Sequence, residues 1–225
     1  MAVENCGFIY NEIFPFWSKL EDKAKKTICD YTTYVHYKKG DAIHSGDGEC
    51  TGAVIVKSGC IRVYIMSDEG REITLYRLFP GDMCLLSASC VVQAITFDVF
   101  VNAEENSDCY VLNGNKFAEL SERYQEVKIF ALELAVERFS NVMWVMQQIL
   151  FMRMDRRLAI FLCDEAAQTG SDTIRLTNEQ IARYIGSARE VVSRVLKYFA
   201  ADGIAERTKE GVKIIDKQKL RRLAY

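Results

Sequence analysis

The sequence predicts an α+β protein with an N-terminal double-stranded β-helix (jelly roll), a long dimerisation helix and a C-terminal winged helix-turn-helix domain. Short β-branched and aromatic runs separated by glycine turns fill the first half of the chain. A heptad pattern follows, and then two short helical patterns on either side of one glycine. We place the domain boundaries at 1–121, 122–152 and 153–225.

Composition excludes several classes of protein. None of the apolar runs among the 225 residues approaches the roughly 20 residues that span a bilayer. The N-terminus lacks the basic start and apolar run of a signal peptide, so we expect a cytoplasmic protein without a membrane partner. Eight cysteines at irregular spacing, with no CxxC, do not resemble a disulfide framework, and we expect most to be small buried side chains.

The charge is distributed unevenly. Residues 151–225 hold 15 Lys and Arg against 10 Asp and Glu, whereas residues 1–150 hold 14 against 21. A basic third joined to an acidic two-thirds predicts two domains with different partners, with nucleic acid as the partner of the basic one. A chance imbalance of surface charge is the alternative.

The first half of the chain predicts a jelly roll. Between residues 35 and 112 short strands recur at intervals of about ten residues, which is typical of a β-sandwich or jelly roll. The segment 16–31 has a helical pattern and is expected to cover one end. The glycines that separate the strands are Gly40, Gly46, Gly59, Gly70 and Gly81.

A long helix is predicted from about Glu122 to Leu150, since this stretch contains neither Pro nor Gly. Apolar residues alternate at spacings of four and three, which is a coiled-coil seam of about three heptads and predicts a parallel homodimer. Packing of the helix on its own roll is the alternative. The helix can do both if the dimer seam lies on one face and the contact with the roll on a neighbouring face. Asp155 is predicted to cap the next helix, with a hinge at residues 153–155. The seam residues are Leu132, Val136, Phe139, Met143, Met146 and Leu150.

Two helices around Gly186 predict a helix-turn-helix. Thr177 to Gln180 has the T-x-x-Q pattern of a capping box, and a short helix over 178–184 follows it. Gly186 can adopt the left-handed conformation that ends a helix. Ser187 to Glu190 has the pattern of a second capping box. The apolar residues of the second helix fall at i, i+3, i+4 and i+7 and predict a buried stripe: Val192, Val195, Leu196 and Phe199.

The opposite face of this second helix is polar, and its side chains suit base edges and phosphates. A solvated helix face is the alternative. Downstream, residues 203–215 predict a β-hairpin, the wing of a winged helix, and a short basic helix capped by Asp216 follows. The predicted DNA-binding residues are Thr177, Ser187, Arg189, Glu190, Ser193, Arg194, Lys197 and Lys209.

Over nearly its whole length the sequence resembles the Crp/Fnr family of bacterial transcription regulators. KKGDAIHSGDG, GAVIVKSGCIRVYIMSDEGREITLYRLFPGD and LTNEQIARYIGSAREVVSRVLKYFAADGIAE carry the resemblance. It implies a cyclic-nucleotide-binding-type β-roll, double-stranded DNA and RNA polymerase as partners, and recognition residues at Arg189, Glu190, Ser193 and Arg194. The arrangement Glu190-x-x-Ser193-Arg194 is similar to the Fnr-like variant, in which Arg and Glu meet a G·C pair.

One departure from the family concerns the ligand. Members that bind cyclic AMP hold its phosphate with Gly-Glu-Leu followed by Arg-Ser, and GDMCLLSASCVVQAITFDVF contains neither. No Lys or Arg occurs from Leu78 to Asn115, whereas five acids do, so a phosphate would be poorly stabilised. We expect a neutral effector, or none. The candidate effector pocket comprises Cys84, Leu85, Ser87, Ser89 and Cys90.

Other sensor chemistries and catalysis are less well supported by the sequence. Cys84 and Cys90 are either small buried residues or, as an alternative sensor, a redox switch. Only Cys6 precedes Cys29, so the cysteine group of an Fnr-type iron–sulfur cluster is absent, and haem would have only His36 or His44 as a ligand. We predict no cofactor, no metal and no catalysis, because no Ser-His-Asp, HExxH or P-loop spacing occurs.

Overall fold

The computed structural model describes residues 6–45, 51–85 and 98–225, with side chains from residue 10 onward. The chain forms two compact units. The first comprises Met1–Arg71 with Leu75–Val142, and the second Glu72–Thr74 with Met143–Tyr225. The boundaries predicted from the sequence at 121/122 and 152/153 stay predictions.

Helices begin the first unit, as the segment 16–31 predicts. They are α1 (Cys6–Ile13), a 3-10 turn (Trp17–Lys19) and α2 (Asp22–Asp30). An aromatic cluster holds them together: the ring centroids of Tyr10 and Phe14 lie 4.8 Å apart and those of Tyr10 and Trp17 5.5 Å apart. The buried Tyr10 hydroxyl forms a hydrogen bond of 2.6 Å with Thr32, so these helices are tied to the first strand.

Two four-stranded antiparallel sheets form the roll of the first unit. One has the strand order β1-β8-β3-β6 and the other β2-β7-β4-β5. Successive side chains of one strand point to opposite faces of the sheet: Val54 and Val56 belong to the core between the sheets, whereas Ala53 and Ile55 belong to the core that includes the N-terminal helices. The predicted jelly roll is confirmed. The strands are β1 (Thr32–Tyr37), β2 (Ala42–His44), β3 (Ala53–Ser58), β4 (Ile61–Met66), β5 (Glu72–Leu78), β6 (Met83–Cys84), β7 (Phe100–Ala103) and β8 (Ser107–Leu112).

Two helices occupy the region where one long helix was predicted. Helix α3 (Gly114–Arg123) is capped by the Asn113 side chain, and α4 (Gln125–Phe151) follows after the extended residue Tyr124. The predicted start at Glu122 is therefore wrong, since Glu122 belongs to α3. The 27 residues of α4 make a rod of about 40 Å.

The second unit contains the end of α4, four further helices and a three-stranded sheet of order β10-β11-β9. Its core is apolar, with Leu158, Ile181 and Val192 fully buried. The elements are α5 (Met154–Thr169), β9 (Thr173–Ile174), α6 (Asn178–Tyr184), α7 (Arg189–Ala201), β10 (Ala205–Arg207), β11 (Val212–Ile214) and α8 (Lys217–Ala224). Asp216 caps α8 by accepting from the backbone of Gln218 and Lys219, as predicted.

The predicted cap of α5 is wrong. Arg153, not Asp155, is the N-cap residue, and its side chain makes no capping bond. Asp155 lies in the first turn of the helix, where a carboxylate interacts favourably with the helix dipole, and its Oδ2 lies 3.2 Å from the Arg153 guanidinium.

None of the helices in the described residues combines the length and apolarity needed to cross a membrane.

Candidate nucleic-acid interface

Helix α6 begins at the predicted capping box. The Thr177 hydroxyl accepts from the Gln180 backbone N–H at 3.1 Å, and the Gln180 side chain accepts from the Thr177 backbone N–H at 2.8 Å. Two backbone donors at the helix start are thereby satisfied. Because Ile181 and Ala182 are buried, α6 is anchored to the core of the second unit while Thr177 stays exposed.

The turn between α6 and α7 is closed by backbone hydrogen bonds. Gly186 has a φ of 59°, and the Ser187 N–H donates to the Ala182 carbonyl at 2.8 Å, in the pattern of a Schellman motif. The buried Arg157 of α5 donates to the Ile185 carbonyl and so supports the end of α6. The sequence contained no signal for this role of Arg157, because only the tertiary structure brings α5 to the turn.

The second capping box is absent from the structure. The N-cap of α7 is Ala188, which has no side-chain capping bond, and the helix begins at Arg189. Ser187 lies one position before this N-cap, and its own N–H donates to the Ala182 carbonyl to close the turn. The prediction of a box at Ser187 and Glu190 is therefore wrong, although the predicted helix is present.

The two faces of α7 are as predicted. Val192, Val195, Leu196 and Phe199 are buried, whereas Glu190, Arg194 and Lys197 are exposed and Ser193 is partly exposed. Within the described residues, none of Arg189, Arg194 and Lys197 makes an ion pair. Three cations without protein counter-charges on one helix give a surface that attracts an anionic partner.

The wing is also present. Strands β10 and β11 pair with Ala205 opposite Ile214, and the turn between them is closed by a bond of 2.8 Å from the Thr208 N–H to the Gly211 carbonyl. Lys209 lies exposed in this turn. The Arg207 guanidinium donates to the Leu176 carbonyl at 2.8 Å, which ties the wing to the segment before α6.

The predicted seam residues on α4 are exposed in the single chain. Val136 is 67% exposed, and the smallest exposure among the six is 45% at Met143. Ile129, Trp144 and Phe151 are also exposed and were not part of the heptad prediction. On another face of α4, Leu134 is buried and Phe130 and Val142 are partly buried against the cores of the first unit. The helix thus has one apolar face that is covered and one that is not.

The candidate effector residues are only partly described. Cys84 and Leu85 are buried, whereas Ser87, Ser89 and Cys90 lie outside the described residues, as does Gly46. Cys60 and Cys109 are also buried free thiols, and Cys163 is partly exposed. Cys29 is disulfide-bonded, which the spacing of the cysteines did not predict.

The two histidines belong to different local environments. His36 pairs with Asp108, and burial lowers the pKa of His44. In the part of the chain that the structure describes, no group of three or more His, Cys, Asp or Glu side chains could hold a metal ion.

A β-roll, a long helix with an open apolar face, and a winged helix-turn-helix with unpaired cations define the class of DNA-binding transcription regulators. Comparison with known proteins gives the same result. The model of the Crp-like helix-turn-helix domain matches residues 156–223, and that of the cyclic nucleotide-binding domain matches residues 34–124.

A crystal structure from Eubacterium rectale, described as a transcriptional regulator of the Crp/Fnr family, is 42% identical with a TM-score of 0.89, over 95% of this chain and 99% of that one. The probable transcriptional regulator flp of Lacticaseibacillus casei is 23% identical over 95% of this chain and 97% of its own. The cAMP-activated global transcriptional regulator Vfr of Pseudomonas aeruginosa is 26% identical over 74% and 81%. The chain belongs to the Crp/Fnr family, which is a family of transcription regulators and not of enzymes.

Proposed function

We propose that the protein acts as a homodimer that binds an inverted-repeat operator, with a sensor roll that does not use cyclic AMP. The exposed face of α7, with its unpaired cations, is the observation that carries the DNA-binding part of this proposal. The exposed seam of α4 supports the dimer, because a monomer rarely leaves so long an apolar stripe uncovered. We further propose that the protein acts in the cytoplasm and, by the family resemblance, that RNA polymerase is a further partner.

The recognition residues divide into two groups. Arg189, Glu190, Ser193 and Arg194 are proposed to read base edges, with Arg and Glu at a G·C pair, because the major groove offers matching acceptors and donors. Thr177, Ser187, Lys197 and Lys209 are proposed to contact phosphates. A dimer of helix-turn-helix units reads half-sites one helical turn apart, about 34 Å, so we expect an inverted repeat. The resemblance to the Crp/Fnr family implies that its half-sites are TTGA-like.

Cyclic AMP is a poor effector for this chain, although Vfr is cAMP-activated by its name. The segment from Leu78 to Asn115 contains no cation that could neutralise a phosphate. A redox switch at Cys84 and Cys90 is the second sensor chemistry. The complete burial of Cys84 argues against it, because oxidation requires an accessible thiolate.

Substitutions on α7 test DNA recognition. Arg194→Ala should cost about 1–3 kcal/mol in operator affinity and relax specificity at one base pair, because Arg pairs with a guanine edge. Lys197→Ala should weaken specific and non-specific DNA about equally and reduce the slope of affinity against salt by about one. Fluorescence anisotropy with operator and scrambled duplexes at several salt concentrations measures both.

Lys19→Ala serves as the control, since this exposed lysine lies in the first unit and its loss changes net charge by the same amount. An unchanged ratio of specific to non-specific affinity in Arg194→Ala would show that α7 is not the recognition helix.

A further inference from the structure

A cavity of about 290 Å³ lies in the second unit between α5, β11 and α8. Cavities that bind small molecules usually measure about 300–1,000 Å³, so this one suits a small ligand. None of its described lining residues belongs to α6 or α7, so a ligand there would leave the exposed face of α7 free. The uncharged side chains of its wall include Cys163, Ala166, Ala167, Ile214 and Leu220.

The floor of the cavity is apolar. Ile214 is 5% exposed and Leu220 is 1% exposed, and both belong to the core of the second unit. Cys163 and Ala166 are partly buried and pack against the same core. Burial, followed by the charge of Asp164, raises the pKa of the Cys163 thiol, so the thiol is protonated at neutral pH. A ligand would therefore contact hydrocarbon and an uncharged thiol.

Three charged side chains also line the cavity, and two of them neutralise each other. The Lys217 ammonium lies 2.5 Å from Asp172 Oδ1. Asp172 is held in place because its backbone carbonyl accepts from the Ile214 N–H at 2.8 Å. This ion pair carries no net charge, which leaves the charge of Arg221 to determine the ligand.

Arg221 is exposed, and within the described residues its side chain makes no ion pair. Its charge opposes the rise that burial causes in the pKa of Cys163, so the guanidinium acts on the interior of the cavity. A guanidinium pairs with a carboxylate through two parallel hydrogen bonds. A single negative charge would balance the lining residues, whereas a dianion would exceed their charge and be repelled by Asp172.

We propose that this cavity binds a small monocarboxylic acid with an apolar body. The carboxylate pairs with Arg221, and the apolar part lies against Ile214 and Leu220. The site is separate from the sensor roll and goes beyond the proposed function, because it stands whether or not the roll takes an effector. Since β11 pairs with β10, a bound acid contacts the base of the wing.

The test uses the full-length protein and the alkylation of Cys163 by iodoacetamide, which mass spectrometry follows on the peptide that contains this residue. Among the other free cysteines that the structure describes, Cys60, Cys84 and Cys109 are buried. Sodium benzoate is titrated against sodium chloride at equal ionic strength. Benzoate should slow the alkylation of Cys163 saturably, whereas benzamide and inorganic phosphate should not.

Arg221→Gln and Arg222→Gln form a matched pair of variants. They remove the same charge from neighbouring exposed positions, but only Arg221 lines the cavity. Arg221→Gln should weaken benzoate binding about ten- to a hundredfold, the range for a hydrogen bond to a charged group, and Arg222→Gln should bind like the wild type. Rates with and without benzoate are compared within each variant, because the loss of Arg221 also alters the pKa of Cys163.

Ala167→Leu separates binding inside the cavity from ion pairing at its surface. Ala167 is exposed on α5, and leucine is a good helix former, so the variant should fold normally. The larger side chain narrows the cavity and should weaken benzoate binding although Arg221 is intact.

Saturation-transfer NMR on the benzoate protons measures the same affinity without the thiol. The proposal fails if benzoate binds no more tightly than benzamide, if phosphate protects Cys163 equally well, or if Arg221→Gln or Ala167→Leu keeps the wild-type affinity. A gel shift with genomic fragments tests the regulator function separately. DNA binding without benzoate binding refutes only the site, and benzoate binding without DNA binding refutes only the regulator.

Discussion

Asp108 on β8 is the acceptor of a small hydrogen-bond network on the surface of the roll. One oxygen lies 2.8 Å from His36 Nδ1, and the other accepts from the Ser58 hydroxyl at 3.0 Å. The hydrogen bond from His36, then those from Tyr34 and Ser58, lower the pKa of Asp108 from 3.8 to about 2. The same network raises the pKa of Tyr34. The three strands β1, β3 and β8 are thereby linked by side chains as well as by their backbone.

The network makes stability depend on pH in the acid range. The carboxyl has a lower pKa when folded, so its stabilising effect is complete above about pH 4 and is lost as the pH falls towards 2. The difference in free energy of unfolding between wild type and Asp108→Asn should therefore shrink as the pH falls from about 4 towards 2. Urea denaturation at a series of pH values measures it. Ser58→Ala removes one of the donors to Asp108 and should change the free energy of unfolding less than Asp108→Asn does. A difference between wild type and Asp108→Asn that does not vary with pH would contradict this account.

At the scale of elements, the sequence patterns predicted the features that depend on residues close together in the chain. The box at Thr177 forms because its two bonds join residues three apart, and the apolar stripe of α7 fixes which face is buried. Ser187 begins the same sequence pattern, but its N–H donates to the Ala182 carbonyl and closes the turn, and no capping box forms there. The break at Tyr124 has no Gly or Pro to signal it, and Arg157 acts through a tertiary contact that no spacing reveals.

Two glycines in the second unit should differ in their tolerance of a side chain. At Gly186 the φ of 59° makes alanine cost about 1–2 kcal/mol, but the nearest atom to a new Cβ is a flexible Ile149 methyl at 3.4 Å. At Gly211 a Cβ would clash with the Ile174 carbonyl oxygen, a backbone atom of β9, which pairs with β11. Gly211→Ala should therefore lower the unfolding temperature more than Gly186→Ala, for which we expect about 2–8 °C.

Calorimetry on both variants compares the two positions. Gly186→Asn is the matched control, because asparagine tolerates the left-handed conformation better than alanine and should retain most of the stability. Equal losses at Gly186 and Gly211 would mean that the β9–β11 pairing yields easily.

At the scale of the whole molecule, charge separates the two activities. The acidic residues 1–150 repel DNA, whereas the basic residues 151–225 carry the cations that are proposed to contact it. DNA affinity should therefore fall steeply as the salt concentration rises, and this dependence should come from the cations of the second unit alone. A single winged helix makes few base contacts, so specificity on an inverted repeat requires two copies held at a fixed spacing, and α4 is the element that can supply it.

The dimer is tested on the seam of α4. Met143 and Met146 are nearly half-exposed in the single chain and are expected to face their symmetry mates across a two-fold axis. Replacing both with Glu would bring four carboxylates together at the axis. We expect monomers by analytical ultracentrifugation and a loss of operator affinity of at least about a hundredfold, because each monomer then binds one half-site without the effective concentration that the dimer provides. Met143→Leu with Met146→Leu keeps the seam apolar and should remain dimeric with normal affinity. A Glu double variant that stays dimeric would place the interface on another surface.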